Sequence, residues 1–246
     1  MNALFFEIHE GLPREGPGGS QSTRKAFSML EDLPPKPRIL DIGCGPGMQT
    51  LDLINLTNGT LVAIDNHQPY LDVLQEKVIR EGLSDRVHIQ NRDMFDLGFA
   101  KNTFDVIWAE GSIYIIGLEK GLRTWKPFLK NGGYFAFTEV SWLKTEPPDE
   151  LQNFWESAYP AMQTIEGNFE IIKKTGNQLV GNFTLPESDW WENYYIPLEN
   201  KLAGFREKYK GDKDAILYAE IEQAEIDLYR KYSAYYGYVF YIVRKR

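Results

Sequence analysis

The sequence has few of the residues from which metal sites, disulfides and many nucleophilic sites are built. Its 246 residues include one cysteine, Cys44, and three histidines. A single cysteine excludes a disulfide framework within the chain and a metal site made of cysteines. There is also no His/Cys cluster, no Gly-x-Ser-x-Gly and no Walker loop. The sequence therefore predicts no metal site and offers no motif of a covalent nucleophile.

Positive charge and long apolar stretches are scarce as well. The 27 Lys and Arg residues are outnumbered by 35 Asp and Glu, so the formal net charge is -8. Because nucleic acids are bound by basic surfaces, this charge argues against a nucleic-acid partner. The apolar run at residues 4–6 is too short for a signal peptide, and no stretch approaches the roughly 18 to 20 apolar residues of a membrane span. We therefore expect a cytoplasmic monomer or homodimer without a membrane or nucleic-acid partner.

Residues 38–50, with the sequence RILDIGCGPGMQT, carry the most informative pattern in the chain. A short apolar run that includes Asp41 predicts a buried strand. The glycines that follow it, Gly43, Gly45 and Gly47, predict a turn in which the backbone passes close to another group, because no Cβ stands in the way. A segment that can be helical comes next. Strand, glycine turn and helix are the first unit of a nucleotide-binding α/β sheet.

Two further residues indicate which nucleotide would bind. The dinucleotide fingerprint has its third glycine where this chain has Met48, so the spacing is GxGxG and not GxGxxG. Asp65 stands at the end of the next predicted strand, where a carboxylate can hold a ribose diol. The first observation disfavours a nicotinamide cofactor, and the second favours a ligand that contains ribose.

The order of the predicted elements indicates the fold class. Five strands alternate with helices over residues 38–140, which predicts a parallel, doubly wound α/β sheet. A further helix is predicted at residues 160–174. The last strand candidate, residues 238–243, follows a mostly helical stretch. We interpret residues 186–236 as a helical cap inserted between the last two strands, because its apolar faces need the sheet domain to bury them.

The sequence LDIGCGPG at residues 40–47, together with Asp65, resembles the class I S-adenosylmethionine-dependent methyltransferases. The resemblance covers residues 37–140 and is closest to the small-molecule, type 11/25-like branch. It implies a mostly parallel seven-stranded sheet with the Rossmann-like methyltransferase fold. It also implies S-adenosyl-L-methionine as the cofactor, S-adenosyl-L-homocysteine as the product and a small molecule as the methyl acceptor. The predicted domains are an N-terminal flap and helix at residues 1–30, a cofactor-binding domain at residues 31–185 and 237–246, and the cap.

The resemblance also implies which residues bind the cofactor. In the family an acidic residue after the third strand holds the adenine, and Asp93 and Met94 occupy that position here. Glu110 and Gly111 match the fourth motif, but methylases of nucleobase amines carry Asn/Asp-Pro-Pro-Tyr there, so nucleic-acid methylation is disfavoured. The predicted cofactor-binding residues are Gly18, Thr23, Asp41, Gly43, Gly45, Gly47, Asp65, Asn66, Asp93, Met94, Glu110 and Gly111.

The N-terminal segment permits two interpretations. Residues 1–22 are irregular in pattern, and a helix capped by Ser20, Ser22 or Thr23 follows. The segment is then either a tail with a surface helix or a flap over the cofactor, with Thr23 or the glycines facing the methionine carboxylate, since a helix N-terminus suits an anion.

The aromatic block at residues 190–195 also permits two interpretations. It is either the wall of an apolar or cationic acceptor site or the core of the cap.

Methyl transfer from a sulfonium is an in-line displacement for which the protein mainly orients two reactants and excludes water. A general base is needed only for an un-ionised hydroxyl or an ammonium acceptor. The candidates are His9, Glu110 and Tyr114, of which His9 is more typical of a surface histidine, and we assign none as the base. Two other functions stay open, a nicotinamide-dependent oxidoreductase and a non-catalytic protein that binds S-adenosylmethionine or S-adenosylhomocysteine.

Overall fold

The computed structural model describes residues 3–246, in which a single mixed sheet carries the helices. The strands are β1 (Arg38–Ile42), β2 (Thr60–Asp65), β3 (Val87–Asn91), β4 (Phe104–Ala109), β5 (Leu129–Trp142), β6 (Gln163–Thr164), β7 (Asn177–Thr184) and β8 (Tyr236–Lys245). The helices are α1 (Ala3–His9), α2 (Ser20–Ser28), α3 (Met48–Asn55), α4 (Gln68–Arg80), α5 (Ile113–Ile116), α6 (Leu118–Trp125), α7 (Asp149–Ala158), α8 (Ile165–Lys174), α9 (Glu187–Trp190), α10 (Ile196–Lys208) and α11 (Lys213–Tyr232).

The strand order is β3-β2-β1-β4-β5-β8-β7, and β6 pairs with the end of β5. Strands β1 to β5 are parallel to one another, whereas β8 is antiparallel to both β5 and β7. The strand order reverses between β1 and β4, which in open α/β sheets opens a crevice at the carboxyl ends of the strands. The doubly wound fold expected from the sequence is confirmed, including the helical stretch between β7 and β8.

The apolar residues form three clusters. Successive side chains of a strand point to opposite faces of the sheet, so Leu40 and Ile42 lie in one cluster and Ile39 in another. The third cluster joins α1, α7 and the helices between β7 and β8, with Ile8 and Leu198 among its fully buried members. The first helix of the chain therefore shares a core with the inserted helices. None of the helices among the described residues has the length and apolarity required to cross a membrane.

Two local predictions were wrong. Residues 1–22 were expected to be irregular, but helix α1 spans Ala3–His9, while residues 1–2 lie outside the described part. So short a helix shows no period in the sequence and depends on its contacts with α10 and α11. The predicted helix at residues 160–174 is instead the short strand β6 followed by α8, because the Thr164 hydroxyl caps the helix by accepting from Gly167 N–H. Strand β6 raises the expected seven strands to eight.

Candidate functional site

A cavity of about 820 Å³ opens at the carboxyl ends of β1, β2, β3 and β4. We call it the glycine-turn cavity. Its walls include seven of the residues predicted from the sequence, namely Gly43, Gly45, Asp65, Asn66, Asp93, Met94 and Gly111. These residues come from four separate segments of the chain. The fold therefore brings the strand-end residues together at the reversal of strand order, where ligands bind in open α/β sheets.

The glycine turn after β1 depends on two glycines that face neighbouring elements closely. A Cβ on Gly43 would lie 2.5 Å from Ser112 Cβ, and Gly43 has a φ of +71°. The Ser112 hydroxyl donates to the carbonyl of Ile42 at 2.6 Å and so ties the turn to the segment after β4. A Cβ on Gly47 would lie 2.2 Å from Leu74 Cδ1 of α4. Gly47 is thus a packing residue and lies off the cavity wall.

We expect Gly47→Ala to destabilise the fold by about 1 to 3 kcal/mol, because the added methyl group would overlap Leu74 and φ is +86° at this position. The matched control is Gly204→Ala in α10, where an added Cβ meets no atom within 4 Å. That control should gain about 0.5 to 1 kcal/mol in helix stability. Urea unfolding measures both effects, and a loss of the same size at Gly204 would contradict the packing role of Gly47.

Asp65 holds the turn and lines the cavity at the same time. Its carboxylate accepts backbone N–H bonds from Gly45 at 3.0 Å and from His67 at 2.9 Å. Burial raises the pKa of Asp65, whereas these backbone N–H donors act in the opposite direction. The carboxylate is therefore fixed at the end of β2 by the glycine turn on one side and the start of α4 on the other. Its binding to a ribose diol stays a prediction.

The adenine position is exposed at the rim of the cavity. Asp93 Oδ1 accepts from the N–H of Phe95 at 2.9 Å, which is a local turn, and its side chain still lines the cavity. Trp125 Nε1 donates to the carbonyl of Met94 at 3.0 Å and holds that segment against α6. The adenine-binding role of Asp93 and Met94 also stays a prediction.

Sequence analysis missed one wall of the glycine-turn cavity. Helix α1 places Phe5 and Phe6 there, and the Phe6 ring stacks on the His67 ring with 3.6 Å between centroids. The Tyr70 hydroxyl of α4 donates to Glu15 Oε2 at 2.6 Å. The adjacent phenylalanines near the N-terminus were the available signal. The N-terminal segment thus lines this cavity through Phe5, Phe6 and Glu15, and its role as a flap over the cofactor stays a prediction.

Glu110, a candidate base, is engaged on both oxygens. Oε2 accepts from Arg14 Nη2 at 2.6 Å, and Oε1 accepts from Thr23 Oγ1 at 2.7 Å and Trp108 Nε1 at 2.8 Å. Both charged side chains are buried, with Arg14 5% and Glu110 1% exposed. Three protein donors thus engage the two oxygens of this carboxylate. Its role is to hold the segment before α2 over the glycine turn.

Arg14 was not predicted from the sequence, and one of its nitrogens has no partner. A small cavity beside the glycine turn is lined by Arg14, Glu15, Gly45, Gln49 and Glu110, and we call it the Arg14 cavity. It shares Glu15 and Gly45 with the glycine-turn cavity. Within the described part of the chain, Arg14 Nη1 is buried without a hydrogen bond. A buried donor left unpaired is costly, and an anion in this cavity would satisfy it.

Four predicted cofactor residues lie behind the cavities and not on their walls. Gly47 is the packing residue described above, and Thr23 supports Glu110. Gly18 donates its N–H to the carbonyl of Asp189 and lies against the Arg14 side chain. Asp41 is fully buried and accepts from Thr50 Oγ1 at 2.6 Å.

The cofactor-binding role of Asp41 stays a prediction, because the side chain is buried off the cavity walls. Burial raises the pKa of Asp41 to about 7, although the hydrogen bond from Thr50 lowers it. The carboxyl group braces the start of α3 against β1 from below the glycine turn. The glycine turn therefore lies between the Asp41 carboxyl group and the glycine-turn cavity.

His9 was expected at the surface, and it is buried. Its Nδ1 lies 3.1 Å from Glu15 Oε2, and its Nε2 lies 3.7 Å from Glu222 Oε1. Burial alone would lower the pKa of His9, but the bonds to Glu15 and Glu222 raise it to about 9. His9 is therefore positively charged at neutral pH and unsuited as a general base. Tyr114 is unsuited too, because desolvation raises its pKa to about 12.

A second large cavity, of about 830 Å³, lies between the sheet edge and the inserted helices. We call it the aromatic cavity, after its rings Tyr114, Trp155, Tyr159, Trp190, Tyr194 and Tyr238. Phe5, Glu15 and Tyr114 line both this cavity and the glycine-turn cavity, so the two meet at those residues. Part of the aromatic block thus forms a cavity wall, whereas Tyr195 is fully buried core. The interpretation of the block as core is confirmed for Tyr195, whereas an acceptor site at the cavity wall stays a prediction.

One buried acid beside the aromatic cavity titrates near neutral pH. Glu139 of β5 is 2% exposed, and its Oε1 accepts from the Tyr159 hydroxyl at 2.7 Å. Its Oε2 has no hydrogen-bond partner among the described residues. Burial raises the pKa of Glu139 from 4.5 to about 8, against the lowering effect of Tyr159.

Glu139→Gln should therefore flatten the pH dependence of stability. The folded chain keeps a proton on Glu139 that the unfolded chain has lost, so stability should fall as the pH rises from about 4.5 to about 8. The amide variant has no such proton to lose. The thermal unfolding midpoints of the original chain and of the variant are compared at each pH in this range. Because both proteins contain all the other titrating groups, the difference between the two midpoints reports on Glu139. Parallel profiles would show that Glu139 ionises normally.

No three His, Cys, Asp or Glu side chains within residues 3–246 are grouped so that they could hold a metal ion.

Comparison with known proteins points to one family. Residues 39–133 match the family model described as a methyltransferase domain. The methyltransferase GfsG of Streptomyces halstedii is 30% identical over 123 residues, which are 50% of this chain and 44% of that protein. The demethylmenaquinone methyltransferase of Bacteroides fragilis is 33% identical over 120 residues, which are 48% of this chain and 49% of that protein. The chain thus matches less than half the length of either relative.

The fold extends the similarity to the whole chain. The crystal structure of an S-adenosylmethionine-dependent methyltransferase from Geobacter sulfurreducens, in complex with S-adenosyl-L-homocysteine, superposes with a TM-score of 0.84. The superposition covers 100% of this chain and 99% of that chain at 17% sequence identity, a likeness of fold. Residues 39–133 are thus similar in sequence to methyltransferase domains, and the whole chain shares the fold of a solved S-adenosylmethionine-dependent methyltransferase.

Proposed function

We propose that this protein transfers a methyl group from S-adenosyl-L-methionine to a small molecule held in the aromatic cavity. One observation carries the proposal. The glycine-turn cavity, lined by the predicted cofactor residues, joins the aromatic cavity at Phe5, Glu15 and Tyr114. Two reactants bound on either side of that junction would meet there, which is the arrangement that an in-line displacement requires. S-adenosyl-L-homocysteine is the expected product.

The residues that would hold the cofactor lie on the walls of the glycine-turn cavity and of the adjoining Arg14 cavity. Asp65 would accept from the ribose hydroxyls, and Asp93 with Met94 would bind the adenine. Arg14 would bind the methionine carboxylate, which its unpaired Nη1 supports. The bound cofactor supplies a methyl group already activated on a sulfonium, so the protein needs to bind, orient and exclude water. Glu15 and Tyr114 at the junction are placed to orient the acceptor.

Calorimetric titration with S-adenosylmethionine, S-adenosylhomocysteine and NAD tests the cofactor assignment, and a screen with labelled methyl groups tests transfer. Binding of both adenosyl ligands, with label recovered in a small molecule, is the expected result. Binding of NAD in their place would favour the oxidoreductase alternative. Binding of the adenosyl ligands without transfer to any acceptor would favour a non-catalytic binding protein.

We also propose a cytoplasmic location, a monomer or homodimer, and no nucleic-acid substrate. The net charge of -8 supports the last point, because phosphate backbones are bound by basic surfaces. The free, buried thiol of Cys44 is compatible with a reducing compartment. Cell fractionation and sedimentation of the purified protein test location and oligomeric state.

A further inference from the structure

The aromatic cavity combines ring faces with negative charge. Besides its six Tyr and Trp rings it is lined by Glu15, Glu222 and Glu225, and no Lys or Arg is among the described residues on its wall. We infer that its ligand, and hence the methyl acceptor, is a small cationic amine. This inference rests on the proposed function and adds the chemical class of the acceptor.

One carboxylate oxygen of Glu15, a residue on the walls of both cavities, is unpaired. Its Oε2 accepts from the Tyr70 hydroxyl and from His9 Nδ1. Its Oε1 is buried and has no hydrogen-bond partner within the described residues. A buried carboxylate oxygen without a donor is costly. An ammonium N–H donor in the cavity would satisfy that oxygen, whereas an apolar or anionic ligand would leave it unpaired.

Glu222 and Glu225 place two more acids on the same side of the cavity. They are three residues apart on α11, so their side chains share a helix face. The Tyr195 hydroxyl donates to Glu225 at 2.8 Å, and His9 lies 3.7 Å from Glu222. Counting Glu15, the cavity wall carries three carboxylates, of which Glu15 and Glu222 lie beside the positively charged His9. A cationic ligand would offset the remaining negative charge, which is expensive to keep away from water.

The rings around these acids face the cavity at different angles. Tyr114 and Tyr159 meet edge to face with 5.9 Å between centroids, and Trp190 and Tyr238 are tilted with 5.2 Å between centroids. Ring faces attract cations through their quadrupoles, most strongly when water is excluded. Rings in several orientations can contact an alkylammonium from more than one side. Neutral aromatic ligands would use these walls too, but they would not use the acids.

Methyl transfer to an amine needs a free lone pair on nitrogen. A protonated amine must first give its proton to a carboxylate of the cavity. The nitrogen then forms a bond to the methyl carbon while the bond from that carbon to sulfur breaks, and the electron pair of that bond goes to sulfur. The products are the methylated ammonium and S-adenosylhomocysteine. Glu225 suits the first step, because burial and then the charge of Glu222 raise its pKa to about 7, against the lowering effects of Tyr195 and His9.

The test compares two ligands of the same shape and different charge. Choline carries a permanent positive charge, and 3,3-dimethylbutan-1-ol is its neutral carbon analogue. Both are titrated calorimetrically into the protein saturated with S-adenosylhomocysteine. We expect choline to bind at least roughly tenfold more tightly through its charge alone, since its quaternary nitrogen carries no N–H donor. Equal binding of the two, or binding of neither, would overturn the amine inference and leave the proposed function standing. Failure of S-adenosylhomocysteine to bind would instead overturn the proposed function, and the inference with it.

Variants on one helix complete the test. Glu225→Gln should weaken choline binding roughly tenfold and leave the affinity for S-adenosylhomocysteine unchanged. Glu222→Gln serves the same purpose if the first variant fails to fold. The matched control is Glu220→Gln, whose side chain is 56% exposed and pairs with Arg206 outside the cavity. Equal effects at Glu220 and Glu225 would overturn the inference.

The pH dependence gives an independent readout, because choline itself does not titrate. Its affinity should rise as the pH increases through about 7, where Glu225 ionises. Glu222, His9 and Tyr195 face the same carboxyl group, and His9 stays charged over this range because its pKa is about 9. Glu225→Gln should remove most of this rise. An unchanged pH profile in the variant would exclude Glu225 as the group that senses the cation.

Discussion

Replacing Arg14 by methionine should lower the free energy of unfolding by about 3 to 5 kcal/mol, because Glu110 would be left as a buried charge without its partner. The pair is joined at 2.6 Å and both side chains are at most 5% exposed. Thr23 and Trp108 would still donate to Glu110, but they carry no compensating charge. Urea unfolding of the two proteins measures the loss.

The double variant Arg14→Met with Glu110→Gln separates stability from binding. It contains no unpaired buried charge, and it should recover most of the lost stability. It should not recover affinity for S-adenosylmethionine, since the guanidinium proposed to bind the methionine carboxylate is still absent. A stable double variant with the affinity of the original chain would remove Arg14 from the binding site. The same stability in single and double variants would show that Glu110 does not need its partner.

Asp65→Ala should weaken binding of S-adenosylmethionine by about 2 to 4 kcal/mol, or roughly 30- to 1000-fold, through the loss of charge-assisted hydrogen bonds to the ribose. The variant also loses the bonds that Asp65 accepts from Gly45 and His67, so part of the effect would act through the shape of the turn. Calorimetry on the folded variant gives the affinity.

Asp72→Ala is the matched control for Asp65. It removes a carboxylate from α4 that is exposed and bonded to Gln68, away from the glycine-turn cavity. Its affinity for S-adenosylmethionine should equal that of the original chain. If Asp65→Ala also keeps full affinity, the ribose assignment is wrong.

The parts of this molecule that can be predicted from its sequence are those encoded locally. The strand before Gly43 and the acid at the end of β2 are each recognisable within a few residues, and the sheet topology follows from the order of such units. Helix α1 and strand β6 escaped prediction because seven and two residues are too short to show a period. Both depend on contacts with distant segments.

The charged pairs were out of reach for a different reason. Arg14 and Glu110 are 96 residues apart in the chain, and no spacing rule connects them. The surface position predicted for His9 was wrong for the same reason. The buried side chain contacts Glu15 and also Glu222, which belongs to the last helix and is far away in the sequence. The sequence places Asp41 close to the glycines, but it does not tell which side of the turn the carboxylate faces. The acids of the aromatic cavity resembled an ordinary polar helix face.

The position of α1 links the two cavities thermodynamically. Phe5 lies in this helix and Glu15 in the loop that follows it, and each contributes to both walls. Any ligand that fixes this segment on one side therefore changes the shape and mobility offered to the ligand on the other side. Such coupling is reciprocal. If S-adenosylhomocysteine changes the affinity for the acceptor by some factor, the acceptor must change the affinity for S-adenosylhomocysteine by the same factor.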